Sequence, residues 1–146
     1  MSKRWQAHWL VLVVFLGLGL LVYAPAIQGP FQYDDKRVIL DPKVRDDAAA
    51  WGAGGLWGTR GLAQGSFWLD WRLWGENTVP YHLENILIHV VTAYFVFVLL
   101  RQILDLRSQM LDEDQSKIYH LSSRIFYLAV FGGAVFLLHP VQSQAV

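Results

Sequence analysis

The feature that most constrains this chain is the clustering of its apolar residues into three long blocks. The blocks cover residues 9–27, 82–101 and 124–139. A helix that crosses a bilayer needs roughly 20 mostly apolar residues, and each block approaches or reaches that length. Only 16% of the residues are charged, whereas soluble domains have about a quarter. The sequence therefore predicts an all-α integral membrane protein, with three transmembrane helices in a single membrane domain over residues 1–146.

Charge and cysteine content exclude several classes of function. Twelve basic residues balance twelve acidic ones, so the chain lacks the basic stripe that binding nucleic acid requires. It also has no cysteine, which excludes a disulfide scaffold, thiolate chemistry and Cys-ligated zinc. The partner that the composition does indicate is the lipid bilayer.

The first and third apolar blocks have features of membrane helices. Ser2, Lys3 and Arg4 precede the first block, as in a signal peptide, but the apolar run is longer than a typical signal sequence and no clear cleavage site follows it. We favour an uncleaved helix, and a cleaved signal stays open as the alternative. The third block contains Gly132 and Gly133, small residues that suit contact between helices in lipid.

The basic residues predict the orientation of the chain. Six of them lie in short segments near the ends of the blocks: Lys3, Arg4, Arg101, Arg107, Lys117 and Arg124. Because basic residues in short segments favour the cytoplasm, we place the N-terminus there. The polar segment 101–123 is then a solvated cytoplasmic loop, and residues 28–80 form an outer loop. That loop faces the periplasm of a bacterial inner membrane or the lumen of the endoplasmic reticulum.

The outer loop is rich in tryptophan, at positions 51, 57, 68, 71 and 74. Tryptophan prefers the membrane interface, where its ring is buried and its N–H stays hydrated. The loop therefore predicts short interfacial helices. A small Trp-rich core folded over the ends of the spans explains the pattern equally well.

Two groups of polar residues lie close to the predicted membrane edge. Asp34 and Asp35 follow the first block, where partial desolvation suits a carboxylate to act as a base. His82, Asn85 and His89 have the spacing of one helical face. We interpret this face as interhelical hydrogen bonding rather than a metal site, since no nearby carboxylate or cysteine completes a ligand set.

Several motifs occur in an order that resembles a known class of membrane enzymes. They are Phe-Gln-Tyr-Asp-Asp at 31–35, Tyr-His-Leu-Glu-Asn at 81–85 followed by His89, and His-Pro-Val at 139–141. This order resembles the N-terminal part of GT-C membrane glycosyltransferases, in particular the transmembrane and tetratricopeptide-repeat proteins, an O-mannosyltransferase-like family. Arg60-Gly61-Leu62 stands where that family has Arg-Pro-Leu, and Gln144 where it usually has glutamate.

The resemblance implies a reaction and a set of roles. A sugar, most simply mannose, would pass from a polyprenyl-phosphate carrier to a Ser or Thr hydroxyl of a protein. Asp34 would be the general base, and Asp35 would orient or bind the acceptor. The residues implied for substrate binding are Arg60, His82, Asn85, His89 and His139. The resemblance implies no cofactor, and it leaves open whether the reaction requires a divalent cation.

Family members continue through more spans and into helical repeats. The resemblance therefore predicts an N-terminal fragment, or a chain whose remaining spans another chain supplies. The main alternative is a non-catalytic membrane protein, whose polar groups hold helices together as a scaffold or partner subunit. A transporter subunit is less favoured, because the middle of each block lacks acidic and basic side chains.

Overall fold

A computed structural model of the chain describes residues 3–31, 61–111 and 115–139. These residues form four α-helices: α1 (Lys3–Tyr23), α2 (Gly61–Trp74), α3 (Thr78–Leu111) and α4 (Gln115–Leu138). A 3-10 turn at Ala24–Ala26 follows α1. No strand occurs within the described ranges, so the all-α prediction is confirmed for them.

The chain divides into two compact units. The first, here called the span unit, combines Met1–Ala24 with Glu84–Val146. The second, here called the aromatic unit, is Pro25–Leu83. Helix α1, most of α3 and α4 belong to the span unit, whereas α2 and the first turns of α3 belong to the aromatic unit.

Two helical segments of the described chain are long and apolar enough to cross a membrane. They are Trp5–Ala26 and Thr78–Arg107. The apolar part of α4, Ser123–Leu138, is shorter than the roughly 20 residues that a span needs. Two of the three predicted helices therefore have the properties of spans, and the third span stays a prediction.

The helices extend into a region that the sequence predicts to be a loop. Residues 101–111 continue α3 and residues 115–123 begin α4, in place of an irregular connector. The physical reason is that neither stretch contains a proline or glycine to end a helix. An ion pair between residues one turn apart also stabilises α3, because Arg101 Nε lies 3.8 Å from a carboxylate oxygen of Asp105. The cytoplasmic location of this segment stays a prediction.

The core of the span unit follows a spacing of three or four residues along each helix. In α1 the buried residues are Val11, Phe15, Gly19 and Tyr23; in α3 they are Ile86, His89, Val90, Ala93 and Phe97; in α4 they are Ile125, Ala129, Gly133 and Leu137. A ridge with a four-residue repeat packs into the matching groove of a neighbouring helix. The buried residues of the three helices therefore follow the repeat expected of packed helices.

Gly133 lies where three helices approach one another. A methyl group at this position would lie 2.8 Å from the Phe15 ring of α1 and 3.1 Å from the Ala93 carbonyl oxygen of α3. Only a residue without a Cβ allows this approach, as is common between helices in lipid. The expectation that Gly133 supports helix contact is confirmed.

The outer surface of the span unit is strongly apolar. Exposed fractions reach 73% for Leu21, 65% for Leu10, 64% for Phe95 and 68% for Phe131. In water, each such side chain forgoes about 1.5–3 kcal/mol of transfer free energy. A lipid surrounding removes that cost. This surface and the two span-length helices indicate a membrane protein.

The aromatic unit has a small core of its own. Phe31 and Tyr81 are buried, with ring centroids 5.2 Å apart in an edge-to-face arrangement, and Phe67 and Trp71 of α2 pack against them. Such ring pairs add about 0.5–1.5 kcal/mol beyond the area they bury. The residues of α2 therefore form a helix within the predicted outer loop. Its location at the membrane interface stays a prediction, and Trp51 and Trp57 lie outside the described residues.

A tight turn joins α2 to α3. Gly75 adopts a left-handed φ of 57° and donates its N–H to the Trp71 carbonyl at 2.9 Å, which ends α2. Asn77 then caps α3, because its side-chain oxygen accepts the N–H of Val79 at 3.2 Å. The Tyr81 hydroxyl donates to the Gly75 carbonyl at 3.1 Å and so ties the turn to the aromatic core.

Candidate functional site

Three residues of the predicted site lie outside the described residues. They are Asp34 and Asp35, the predicted base and its partner, and Arg60, which the resemblance implies for substrate binding. Their roles stay predictions. The remaining four, His82, Asn85, His89 and His139, are described.

His89 is a buried polar residue in the core of the span unit, with 7% of its surface exposed. Its Nε2 lies 3.1 Å from the Leu137 carbonyl oxygen of α4, and its ring packs against Phe136 with centroids 5.4 Å apart. A carbonyl can only accept, so the Nε2 of His89 carries the hydrogen and donates it. The interhelical hydrogen bonding expected of this residue is confirmed.

Tyr23 donates to the same carbonyl. Its hydroxyl lies 2.7 Å from the Leu137 oxygen and 3.5 Å from His89 Nε2. Leu137 is in the last turn of α4, where carbonyls have no partner within the helix. A carbonyl oxygen has two lone pairs, so it can accept both hydrogen bonds. The two donors therefore fasten the end of α4 to α1 and α3.

This cluster fixes the end of α4. The protons of Tyr23 and His89 are both directed at a backbone carbonyl, so the arrangement is suited to holding a helix end rather than to transferring a proton. His139 comes directly after α4 and is exposed. His139 begins the His-Pro-Val motif. It comes two residues after Leu137, whose carbonyl accepts both hydrogen bonds.

The three residues of the predicted helical face all lie on α3, but their surroundings differ. Asn85 is exposed, whereas His82 belongs to the aromatic unit and is half-buried. There its Nε2 lies 3.1 Å from the Gly29 carbonyl oxygen, to which it donates. His82 and His89 therefore have separate carbonyl partners within separate units.

The described residues offer no ready ligand set for a metal. Within residues 3–31, 61–111 and 115–139, no group of three or more His, Asp and Glu side chains is placed to hold an ion. A metal site in proteins usually needs at least three such ligands.

Sequence reasoning missed two residues of interest. Tyr23 could have been found from the four-residue spacing that it shares with Phe15 and Gly19, together with its polar end at the edge of a span. Asp70 is buried, with 9% exposed, and lies on the α2 face that also bears Phe67 and Trp71. An aspartate is rarely buried unless it is paired.

Comparison with known proteins gives two distant similarities. The chain is 29% identical over 143 residues to Protein O-mannosyl-transferase Tmtc1 of Drosophila melanogaster, which covers 88% of this chain and 14% of the fly protein. It is 23% identical over 149 residues to Protein O-mannosyl-transferase F38B6.6 of Caenorhabditis elegans, which covers 92% and 19%.

These similarities support an O-mannosyltransferase-like family, although the chain spans less than a fifth of the length of either relative. No family model matches the chain. No solved structure matches it.

Proposed function

We propose that this chain is the N-terminal part of a GT-C membrane glycosyltransferase that moves mannose from a polyprenyl-phosphate carrier to a Ser or Thr hydroxyl of a protein. The observation on which this rests is its similarity, over 88% and 92% of its residues, to two proteins named protein O-mannosyl-transferases. The apolar outer surface of the span unit supports the proposal, because a polyprenyl donor is delivered through lipid.

The proposed reaction is a single inverting displacement. The acceptor hydroxyl oxygen forms a bond to the anomeric carbon, and the bond between that carbon and the phosphate oxygen breaks. Asp34 takes the hydroxyl proton as general base. The phosphate leaves with the electron pair, and the guanidinium of Arg60 stabilises its charge. Asp35 orients the acceptor.

The proposed topology brings these groups to the outer side of the membrane. Residues 28–80 face the periplasm or the lumen, the N-terminus is cytoplasmic, and α4 is the third span. The bonds from Tyr23 and His89 to Leu137 support a positioning role, because they fix the helix end that precedes His139. The resemblance also implies that His82, Asn85, His89 and His139 take part in binding substrate. Further spans would come from the rest of the protein or from another chain.

A transfer assay tests the proposal. The chain is reconstituted in liposomes with radiolabelled polyprenyl-phosphate mannose and a Ser/Thr-rich acceptor peptide, and the Drosophila relative serves as the positive control. We expect Asp34→Asn to reduce transfer by about 10²–10⁴-fold, the usual contribution of a general base. Asp46→Asn is the matched control, since it changes an aspartate of the chain's other Asp-Asp pair, and it should leave transfer unchanged.

Equal transfer by wild type and Asp34→Asn would exclude the proposed base. If wild type transfers nothing, a photoreactive polyprenyl-phosphate mannose analogue provides a second measurement on this chain. The proposal predicts crosslinks that unlabelled donor displaces, and crosslinks that resist displacement would contradict it.

The second candidate is a non-catalytic helix scaffold. It is favoured by one observation: the buried polar groups Tyr23 and His89 bond to a backbone carbonyl of a neighbouring helix, as structural groups do. A scaffold predicts neither transfer nor displaceable donor crosslinks, so the same assay separates the two.

A further inference from the structure

A histidine and an arginine join α1 to α3 near the start of α1. Arg101 Nη1 of α3 lies 2.6 Å from His8 Nε2 of α1, and His8 Nδ1 lies 3.0 Å from the Tyr94 hydroxyl oxygen. Arginine can only donate, so Nε2 accepts and the hydrogen of the neutral ring is on Nδ1. A protonated histidine carries a hydrogen on both nitrogens and cannot accept. The hydrogen bond between Arg101 and His8 therefore exists only while His8 is neutral.

Arg101 has two further partners that hold it in place. Its Nε lies 3.8 Å from a carboxylate oxygen of Asp105, one turn along α3, and its guanidinium carbon lies 5.5 Å from the centre of the Phe126 ring of α4. The guanidinium stays positively charged, because arginine is not deprotonated in proteins. When His8 takes up a proton, two positive charges face each other at hydrogen-bond distance and repel. The repulsion acts to displace His8 and the start of α1, since Arg101 keeps its other partners.

The position of His8 allows it to exchange protons with water. It is half-buried and lies in the first turn of the candidate span Trp5–Ala26. Arg101 lies near the end of the candidate span Thr78–Arg107, so the two residues meet near one edge of the predicted membrane region. An ionisable residue at this depth can reach the interface, whereas one at the centre of a bilayer is costly.

Histidine is the group in this contact that titrates near neutral pH. Among the described residues, the charged or titratable groups packed around it from α3 are Tyr94, Arg101 and, on the far side of Arg101, Asp105. From α4, Phe126 contacts Arg101, and Arg124 is exposed. Of these residue types, only histidine ordinarily changes its charge between pH 5 and 8.

The polar contact at the other end of the span unit does not depend on the charge of its histidine. His89 Nε2 donates to the Leu137 carbonyl oxygen at 3.1 Å. A protonated ring donates from the same nitrogen, so this bond survives protonation. Acid should therefore act on the contact near the start of α1 and spare the contact at the end of α1.

We infer that His8 and Arg101 form a pH-sensitive latch, which holds the start of α1 against α3 and releases it when His8 is protonated. The inference is independent of the proposed function, because it concerns neither the sugar donor nor the acceptor. A histidine without such contacts has a pKa of about 6.5. Because only the open state binds the proton, the latch is closed above that pH and weakens as the pH falls through it. From about pH 7.5 to about pH 5.5, the ratio of open to closed molecules should rise by up to about tenfold.

Distances between spin labels on the full chain test the inference. The chain has no cysteine, so introduced cysteines can be labelled without background. Gln6→Cys in α1 and Gln102→Cys in α3, both at exposed positions, form the latch pair. Leu21→Cys and Leu87→Cys, also exposed, form the reference pair at the other end of the same helices. Double electron–electron resonance measures each pair in phosphatidylcholine nanodiscs at the two pH values.

We expect acid to change the latch pair alone. In the latch pair, a population at longer distance should grow relative to the short one by up to about tenfold. The distances of the reference pair should stay the same at both pH values, because the His89 bond does not depend on charge.

Two variants of the latch pair separate the titration of His8 from other effects of acid. His8→Gln keeps an oxygen that can accept from Arg101 but cannot be protonated in this range, so its distances should be the same at both pH values. Arg101→Met keeps a long side chain without the charge, so a protonated His8 meets no cation and the response should be lost. Circular dichroism verifies that each variant folds, and either one decides alone if the other does not fold.

Any of three results overturns the inference. One is a latch pair whose distances do not change with pH in the wild type. Another is an equal change in the reference pair, which would mean that acid loosens the helices in general. The third is a pH response that persists in a folded His8→Gln or Arg101→Met variant.

Discussion

The Leu137 carbonyl accepts two hydrogen bonds, and removing both should cost more than the sum of removing each. Tyr23→Phe deletes the donor at 2.7 Å and leaves the His89 bond at 3.1 Å in place. His89→Leu deletes the second donor and leaves the first. In either single variant the carbonyl keeps a partner, so we expect a modest loss of stability.

The magnitudes follow from the geometry. An interhelical hydrogen bond in a membrane protein contributes on average about 0.6 kcal/mol and at most about 1.7 kcal/mol, which is the expected effect of Tyr23→Phe. His89→Leu should cost somewhat more, because the ring also packs against Phe136. The double variant leaves a buried carbonyl without a donor, which adds about 1–3 kcal/mol. We therefore expect a coupling free energy of at least about 1 kcal/mol.

The assay is reversible unfolding of the four proteins in detergent micelles, titrated with sodium dodecyl sulfate and followed by circular dichroism. The coupling free energy comes from the double-mutant cycle. Additivity of the two substitutions within about 0.5 kcal/mol would refute the reasoning, because independent sites behave in that way.

Substitutions at three further positions probe the close helix approach at Gly133 and the turn between α2 and α3. Gly133→Ala should lower the unfolding free energy by about 1–3 kcal/mol, because its methyl group would press on the Phe15 ring, and the same titration measures it. Gly75→Ala should cost about 1 kcal/mol because of the positive φ, and Gly75→Asn should cost less; hydrogen exchange in the last turn of α2 detects both. Tyr81→Phe should weaken protection of the same turn by about 0.5–1.5 kcal/mol, since it removes the bond to the Gly75 carbonyl.

Each of these has a control and a contradicting outcome. Gly17→Ala, where a methyl group meets nothing within 4 Å, should change stability by less than about 1 kcal/mol. If it matches Gly133→Ala, close helix approach is not the cause. Equal effects of alanine and asparagine at Gly75 would argue against left-handed strain, and unchanged exchange in Tyr81→Phe would show that the hydroxyl does not support the turn.

The apolar blocks predicted the helices well but not their ends. The helical spacing of apolar residues around Phe15 and Phe97 indicates which side chains are buried. Both of these side chains are at most 1% exposed. Helix α3 continues through polar residues such as Gln102 and Arg107 in the predicted loop, because helix propensity and a lack of breakers let the helix extend. The clustering of apolar residues shows where hydrocarbon can surround a helix, but it does not show at which residue the helix ends.

The candidate site was predictable only in part. A polar residue at helical spacing in an apolar block, such as His89, can be expected to bond between helices, and it does. Its partner could not be predicted, because the acceptor is the backbone of Leu137, which the identity of that residue does not reveal. The same limit applies to His82 and the Gly29 carbonyl, a contact across 53 positions of the chain.

The central claim is that residues 28–80 lie on the non-cytoplasmic side of the membrane. Asp34 can act as the base only if it lies on the same side as the sugar donor. The chain has no cysteine, so Ser66→Cys in α2 and Ser108→Cys in α3 can each be labelled without background in sealed vesicles of known orientation, using a membrane-impermeant maleimide. We expect Ser66→Cys to react only from the non-cytoplasmic side and Ser108→Cys only from the cytoplasmic side. Labelling of Ser66→Cys from the cytoplasmic side would contradict the central claim.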